Sequence, residues 1–338
     1  MSADTYLNMI KDKRSNGKLR GINNKIIIKA LKGLEEEELT YDNDATYFDS
    51  EKDSAEYSYQ KSKQFSGLIG CIAELGMINT VDFRRGKVSP QTGIMNQLKK
   101  AVGQAKAAGK RIGRFRNDSV AYRSDVMTYC TIQGIYYFIS ADQDEAVRRT
   151  IQKIKASEWW MLEDKYAKNE GTKWAETKHV MSKGFTVRML VLRWENPDPD
   201  LFESSPYCYH AIVTNDVEIE PMEWLKVHNG RMGTIEHSHE EIKNALGCDY
   251  APSHEFEKNR GYFLIGILAY NMVEILKRFY MGLSTIKWKI KTIRYRFIHV
   301  CGKIVKSGRR FCCKIINVTD EVFELYKNCK SKLGCYAS

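Results

Sequence analysis

The chain has 338 residues, 43% apolar and 28% charged, which excludes wholesale disorder and leaves room for one large domain or two ordinary ones. A net charge of +11 favours a polyanionic partner over a neutral one. From Asn271 to the end there are fifteen Lys/Arg against four Asp/Glu, so the C-terminal fifth carries the whole excess, as a phosphate-facing surface would.

Taken in chain order, residues 1–38 are charged and read as helical. "ELTYDNDATYF" then alternates in β-prone fashion, and "SGLIGCIAEL" and "MINTVDFRRG" are two further strands. "SPQTGIMNQLKKAVGQAKAAG" reads as a helix with Ser89 at its N-cap and Pro90 at its first position. "RIGRFRNDSV" is a strand ending in Asp118. A helix near "RSDVMTYCTIQG", the strand "IYYFISA" and the helix "DEAVRRTIQKI" follow, with Asp142 and Asp144 placed either to support an acidic site or, the favoured reading, to cap that helix. Three strands followed by strand–helix alternation predict a mixed α/β sheet, antiparallel at its start.

Residues 39–156 are thus the first part of a core, and 157–218 a β-rich insertion with the strands "GFTVRMLVLRW" and "YCYHAIVTN". Helices return over 219–282: "EPMEWLKVH" with Pro221 in its first turn, "IEHSHEEIK", and the long "FEKNRGYFLIGILAYNMVEILKRFYM". Residues 283–338 form a basic segment in which Trp288, Tyr295 and Phe297 alternate with Lys and Arg. A basic hairpin is expected there, contacting DNA. The apolar run "YFLIGILAYNMVEIL" is short and broken by Asn271 and Glu274, so it reads as a buried helix and no membrane is expected as a partner. Nine Cys without a CxxC pair fit mostly buried free thiols in a reducing cytoplasm, and no signal peptide opens the chain.

The chemistry rests on carboxylates. Asp44 lies inside the first strand, Asp118 at the end of the fourth, and Glu236 on a helix beyond the insertion, 74 and 118 residues apart. Such a trio suits hard cations, which take oxygen ligands. Two of them roughly 3.5–4 Å apart activate the attacking oxygen and stabilise the leaving one in phosphoryl transfer. A zinc reading of "EHSHEE" fails, because His237 and His239 are two residues apart and diverge on a helix. Glu236, His239, Glu240 and Lys243 share one helical face. Arg114 and Arg116 alternate ahead of Asp118 and are expected to neutralise DNA phosphates. Trp194 either packs in the core or stacks on an unpaired base.

Read together, "DNDAT" (42–46), "FRRGKVSPQTG" (83–93), "RNDSVAY" (116–122), "ISADQDEAVRRTI" (139–151), "RWENPDPDLFE" (193–203), "YCYHAIVTN" (207–215), "HNGRMGTIEHSHEEIKNALG" (228–247) and "FLIGILAYNMVEILKR" (263–278) carry a resemblance. The sequence resembles bacterial insertion-sequence transposases of the DDE type, in the group whose third acid lies in a Tyr/His–Arg–Glu–Lys pattern. The resemblance implies a ribonuclease-H-like (retroviral-integrase-type) α/β catalytic domain with a β-rich insertion between the second and third acids. In such a sheet the first and fourth strands are neighbours. It also implies that Asp44, Asp118 and Glu236 bind two Mg²⁺ ions, with Mn²⁺ as a substitute, and that Arg231 and Lys243 contact phosphates of the transposon end. His228 falls where relatives have Tyr.

The implied partners are double-stranded DNA of the terminal inverted repeats and of the target, with a homodimer in the DNA complex. The implied location is the cytoplasm, at the nucleoid. The implied reaction is strand cleavage at the element end, then attack of the freed 3′ hydroxyl on target DNA. Two departures stand out. Arg231 and Glu236 are one residue further apart than in the commonest form, and only 43 residues precede Asp44, as in an N-terminally truncated copy. The alternative readings are therefore a catalytically idle remnant that binds DNA or inhibits an intact copy, and a host nuclease on the same fold.

Overall fold

β-prone segments, buried almost continuously in the central strands, make the sheet, and turn chemistry separates them. The computed structural model describes residues 3–163, 165–167, 169–181, 184–197, 205–316 and 318–334. It divides into two compact units, Asn24–Glu51 with Ala55–His237, and Met1–Asn23, Lys52–Ser54 with Ser238–Ser338. Two helices come first, α1 (Ala3–Met9) and α2 (Lys13–Lys32).

In the larger unit the chain runs through β1 (Glu38–Asp49), the short β2 (Glu56–Tyr57), β3 (Lys63–Ile72), β4 (Met77–Arg85), α3 (Ile94–Ala107), β5 (Arg111–Asn117), α4 (Ser124–Ile132), β6 (Tyr136–Ser140) and α5 (Glu145–Gln152). It continues with β7 (Trp160–Met161), β8 (Lys173–Val180), β9 (Thr186–Glu195), β10 (Tyr207–Thr214) and α6 (Pro221–Asn229). β4 and β1 pair antiparallel with β3, while β1, β5 and β6 run parallel. That is the ribonuclease-H-like arrangement, with two antiparallel strands on one side of β1 and the parallel pair on the other. Tyr41, Phe65, Phe115, Tyr137 and Phe138 fill its core.

The strands of 157–218 are not a detached layer. β10 pairs antiparallel with β6, and β9, β8 and β7 follow outward, so among the described residues ten strands share one sheet. Trp224 from α6 is fully buried against this extension, packed with Phe138, Leu190 and Ile212. The segment 198–204, within the "RWENPDPDLFE" stretch, lies outside the described residues.

Two helix starts follow the local chemistry expected of them. Asp144 caps α5, accepting from Val147 N at 2.8 Å, and Pro221 opens α6. α3 departs from its expected start. It begins at Ile94, after Gly93 at φ 97°, a left-handed conformation that glycine adopts freely, and Ser89 and Pro90 lie in the preceding turn.

The smaller unit contains most of α7 (Ile235–Asn244), then α8 (Phe256–Ile275), which continues as a π-helical segment over Leu276–Met281. α9 (Ile290–Ile293), a hairpin of β11 (Gly302–Ser307) and β12 (Arg310–Ile315), and α10 (Asp320–Leu333) complete it. The basic hairpin is shorter than the sequence pattern implies, because Ile290–Ile293 and Arg294–Ile298 are helical. Among the described residues no helix is long and apolar enough to cross a membrane.

Candidate active site

Strand β1 gives its alternate residues opposite tasks, since successive side chains point to opposite faces. Asn43 is fully buried on the face toward α3, where its amide donates to Gln97 Oε1 at 2.8 Å and to Ile69 O at 3.0 Å. Asp42 and Asp44 share the other face. The parallel register sets Asp42 beside Arg116, so two residues further along Asp44 approaches Asp118 just past the end of β5. Asp118 also caps a short turn, accepting from Val120 N at 3.1 Å.

Burial, and after it the charge of Asp44, pushes the Asp118 carboxyl above the usual carboxylate range, while Arg231 opposes that rise. Arg231, 9% exposed, reaches within 3.7 Å of Asp44 Oδ2 from a 3₁₀ turn, Gly230–Gly233. Its Nε is buried without a hydrogen-bond partner. The guanidinium therefore keeps donor capacity beyond Asp44.

The structure brings Asp44, Asp118 and Arg231 together. Glu236 stands exposed in the first turn of α7, where a carboxylate suits the helix N-terminus. Among the described residues no group of three or more His, Cys, Asp or Glu side chains is placed to hold a metal ion. Asp44 and Asp118 nevertheless fit one half of such a centre. They are two mutually repelling carboxylates, the donors a hard cation takes, and a bound cation would relieve that repulsion.

Arg231 also lines a cavity of about 350 Å³, together with Ser140, Trp194, Tyr209, His210 and His228 among others. That is within the size range of small-ligand sites. Trp194 is partly buried in its wall. His228 is buried, with Nε2 3.1 Å from Ser140 Oγ. Burial first, then His210 and Arg231, drop its pKa to about 3, so it acts as a neutral hydrogen-bonding ring and not as a cation. Lys243 stands half-buried in the last turn of α7, within the smaller unit.

Arg116 is not where sequence reasoning puts it. Its guanidinium is buried and forms a two-pronged ion pair with fully buried Asp42, at 2.6 and 2.7 Å, and cannot face DNA phosphates. Arg114, two residues earlier, is exposed. Asp42 and Thr234 are the partners that sequence reasoning passes over. The available signal is positional: a polar residue stands two places before each of Asp44, Asp118 and Glu236.

Sheet order and site together define a ribonuclease-H-like protein with an acidic centre beside its parallel strands. The chain belongs to the transposase DDE domain group 1 family, whose model matches residues 6–330. Among solved structures the chain is similar to a piggyBac transposase in a synaptic complex with hairpin DNA. The two are 9% identical with a TM-score of 0.37, over 73% of this chain and 50% of that one, so the match spans half of that protein's length. No curated protein matches the sequence.

Proposed function

We propose that this chain is a DNA transposase that cleaves strands at the ends of its element and joins them to target DNA. The observation that carries the reading is the pairing of Asp44 and Asp118 beside Arg231, in a chain of this family. Asp44, Asp118 and Glu236 would hold Mg²⁺, with Mn²⁺ as substitute, and bound metal supplies an activated oxygen nucleophile and charge stabilisation at the phosphate. Arg231 steadies the ionised acids, and Arg231 and Lys243 are assigned to phosphates of the transposon end. His228 stays neutral and orients by hydrogen bonding. Trp194 and the cavity take an unpaired base at the element end. The working form is a homodimer on double-stranded terminal repeats.

The test is an assay with duplexes carrying the element's own ends, Mg²⁺ and a supercoiled target. Nicking that leaves a 3′ hydroxyl, followed by joining to the target, is expected. Cleavage without joining would mean a nuclease, and binding without cleavage an idle remnant. Affinity for the end should fall linearly on a log–log plot against salt, since phosphate contacts release counterions. A flat dependence would oppose a phosphate-dominated interface. Trp194→Ala should weaken end binding about tenfold, the scale of one lost base–aromatic stack. A 2-aminopurine at the terminal position should lose its fluorescence change in that variant, and an unaltered signal would put Trp194 in the core.

A further inference from the structure

Each of the three acids follows, two residues behind it, a member of one polar cluster in which Asp42 and Arg116 are buried and Thr234 is partly buried. Asp42 precedes Asp44, Arg116 precedes Asp118, and Thr234 precedes Glu236. Arg116 Nε and Nη2 donate to the two carboxylate oxygens of Asp42, and Arg116 Nη2 also donates to Thr234 Oγ1 at 3.3 Å. Thr234 Oγ1 in turn donates to Asp42 Oδ2. Arg116 Nη1 donates to Val227 O, near the end of α6, at 2.9 Å. The three side chains close a ring across β1, β5 and the turn that leads into α7.

We infer that Asp42, Arg116 and Thr234 form a positioning clamp that sets the register of the three segments bearing the acids. The inference rests on the assignment of Asp44, Asp118 and Glu236 as the metal-binding acids. Its physical basis is side-chain direction. In a strand, residues i and i+2 lie on one face, so tying Asp42 to Arg116 fixes how Asp44 and Asp118 oppose each other. Nothing in the sheet ladder reaches the Gly230–Gly233 turn. The Thr234 hydroxyl supplies that link, two residues ahead of Glu236.

The surroundings are shaped to the ring. Gly230 has an ordinary helical φ of −57°, so no backbone conformation demands glycine there. A Cβ at that position would collide with Arg116 Nη1. Glycine is thus needed for space, to admit the guanidinium.

Asp42 and Arg116 are poor first targets, since opening a buried ion pair threatens the fold. Thr234→Val keeps the shape and removes only the hydroxyl, while Thr234→Ser keeps the hydroxyl. In the full-length, metal-free protein, hydrogen exchange over residues 234–238 should rise about tenfold in Thr234→Val and stay at the wild-type rate in Thr234→Ser. Unchanged protection in Thr234→Val overturns the clamp.

Mn²⁺ titration then asks whether the clamp acts through Glu236. Thr234→Val should weaken Mn²⁺ binding about 10- to 100-fold, as loss of a ligand-orienting partner does, with Thr234→Ser restoring it. Thr234→Val should add no further loss to Glu236→Gln, and a fully additive loss overturns the route through Glu236. Raised exchange together with Mn²⁺ binding indifferent to Glu236→Gln has a separate meaning. It leaves the clamp standing and removes Glu236 from the metal-binding acids.

Discussion

Asp118→Asn should abolish end cleavage and, in the same molecule, stabilise the metal-free protein. The loss of activity is expected to reach at least about a thousandfold, because a ligand that holds the metal contributes several kcal/mol of transition-state stabilisation. The gain in stability follows from electrostatics. Burial and the charge of Asp44 raise the folded-state pKa of Asp118 above its ordinary 3.8. A carboxyl raised in the folded state contributes stability that is fully present below the unfolded pKa and is lost as pH rises through the folded one.

At neutral pH the ionised Asp118 therefore opposes folding, and asparagine removes that opposition. The melting temperature of Asp118→Asn should exceed that of the wild type at pH 7, and the gap should close as pH falls toward 3.8. Added Mg²⁺ should raise the wild-type melting temperature by mass action and leave the variant nearly unmoved. Normal cleavage by Asp118→Asn would remove this residue from the acids. A lower melting temperature at pH 7 would show that the charge is stabilising and would refute the electrostatic account.

Lys277→Met should strongly destabilise the smaller unit. Lys277 is 2% exposed and lies 2.5 Å from Glu274, itself 7% exposed, where α8 passes into its π-helical continuation. Its ammonium also donates to Ile286 O and Trp288 O, each at 3.2 Å. Methionine fills similar volume but leaves a buried carboxylate and two carbonyls without their donor. Removing one partner of such a pair costs about 3–5 kcal/mol.

The effect should depend on pH. Burial outweighs the attraction of Lys277 and then Arg278, with Glu241 adding repulsion, and lifts Glu274 from 4.5 to about 7. Stability from this group is full below pH 4.5 and declines as pH rises toward 7. In Lys277→Met the carboxyl can take up a proton in acid, so the deficit should be smallest near the low end of that window and largest above it. Glu274→Gln should cost much less, since Lys277 keeps both carbonyls, and should flatten the pH profile between 4.5 and 7. Denaturant melts of the three proteins across that range would decide it. A Lys277→Met deficit independent of pH would mean that lost packing, not the stranded charge, is responsible.

Much of the larger unit was legible in the sequence because strand alternation and turn residues are local signals. "ELTYDNDATYF", "SGLIGCIAEL" and "MINTVDFRRG" form β1, β3 and β4, and Asp144 and Pro221 sit at the helix starts their chemistry favours. The misplaced start of α3 has an equally local cause, since Gly93 competes with Ser89 for the turn. Strand pairing is not local. Nothing in the residues of β10 specifies that it adds to β6, so the insertion reads as separate until the sheet is seen whole.

The same division holds at the site. In the sequence, the resemblance to DDE transposases marked Asp44, Asp118 and Glu236, together with Arg231 and His228, and residue chemistry added Trp194, because a family's motifs survive without coordinates. The charges of Arg114 and Arg116 looked equivalent there, since alternation places both on one face. Only the tertiary structure separates them: Arg116 lies opposite Asp42 in the β1–β5 register and under Thr234, while Arg114 reaches solvent. An ion pair between residues 74 positions apart has no trace in local pattern. Its existence depends on which strands are neighbours, and packing alone decides that.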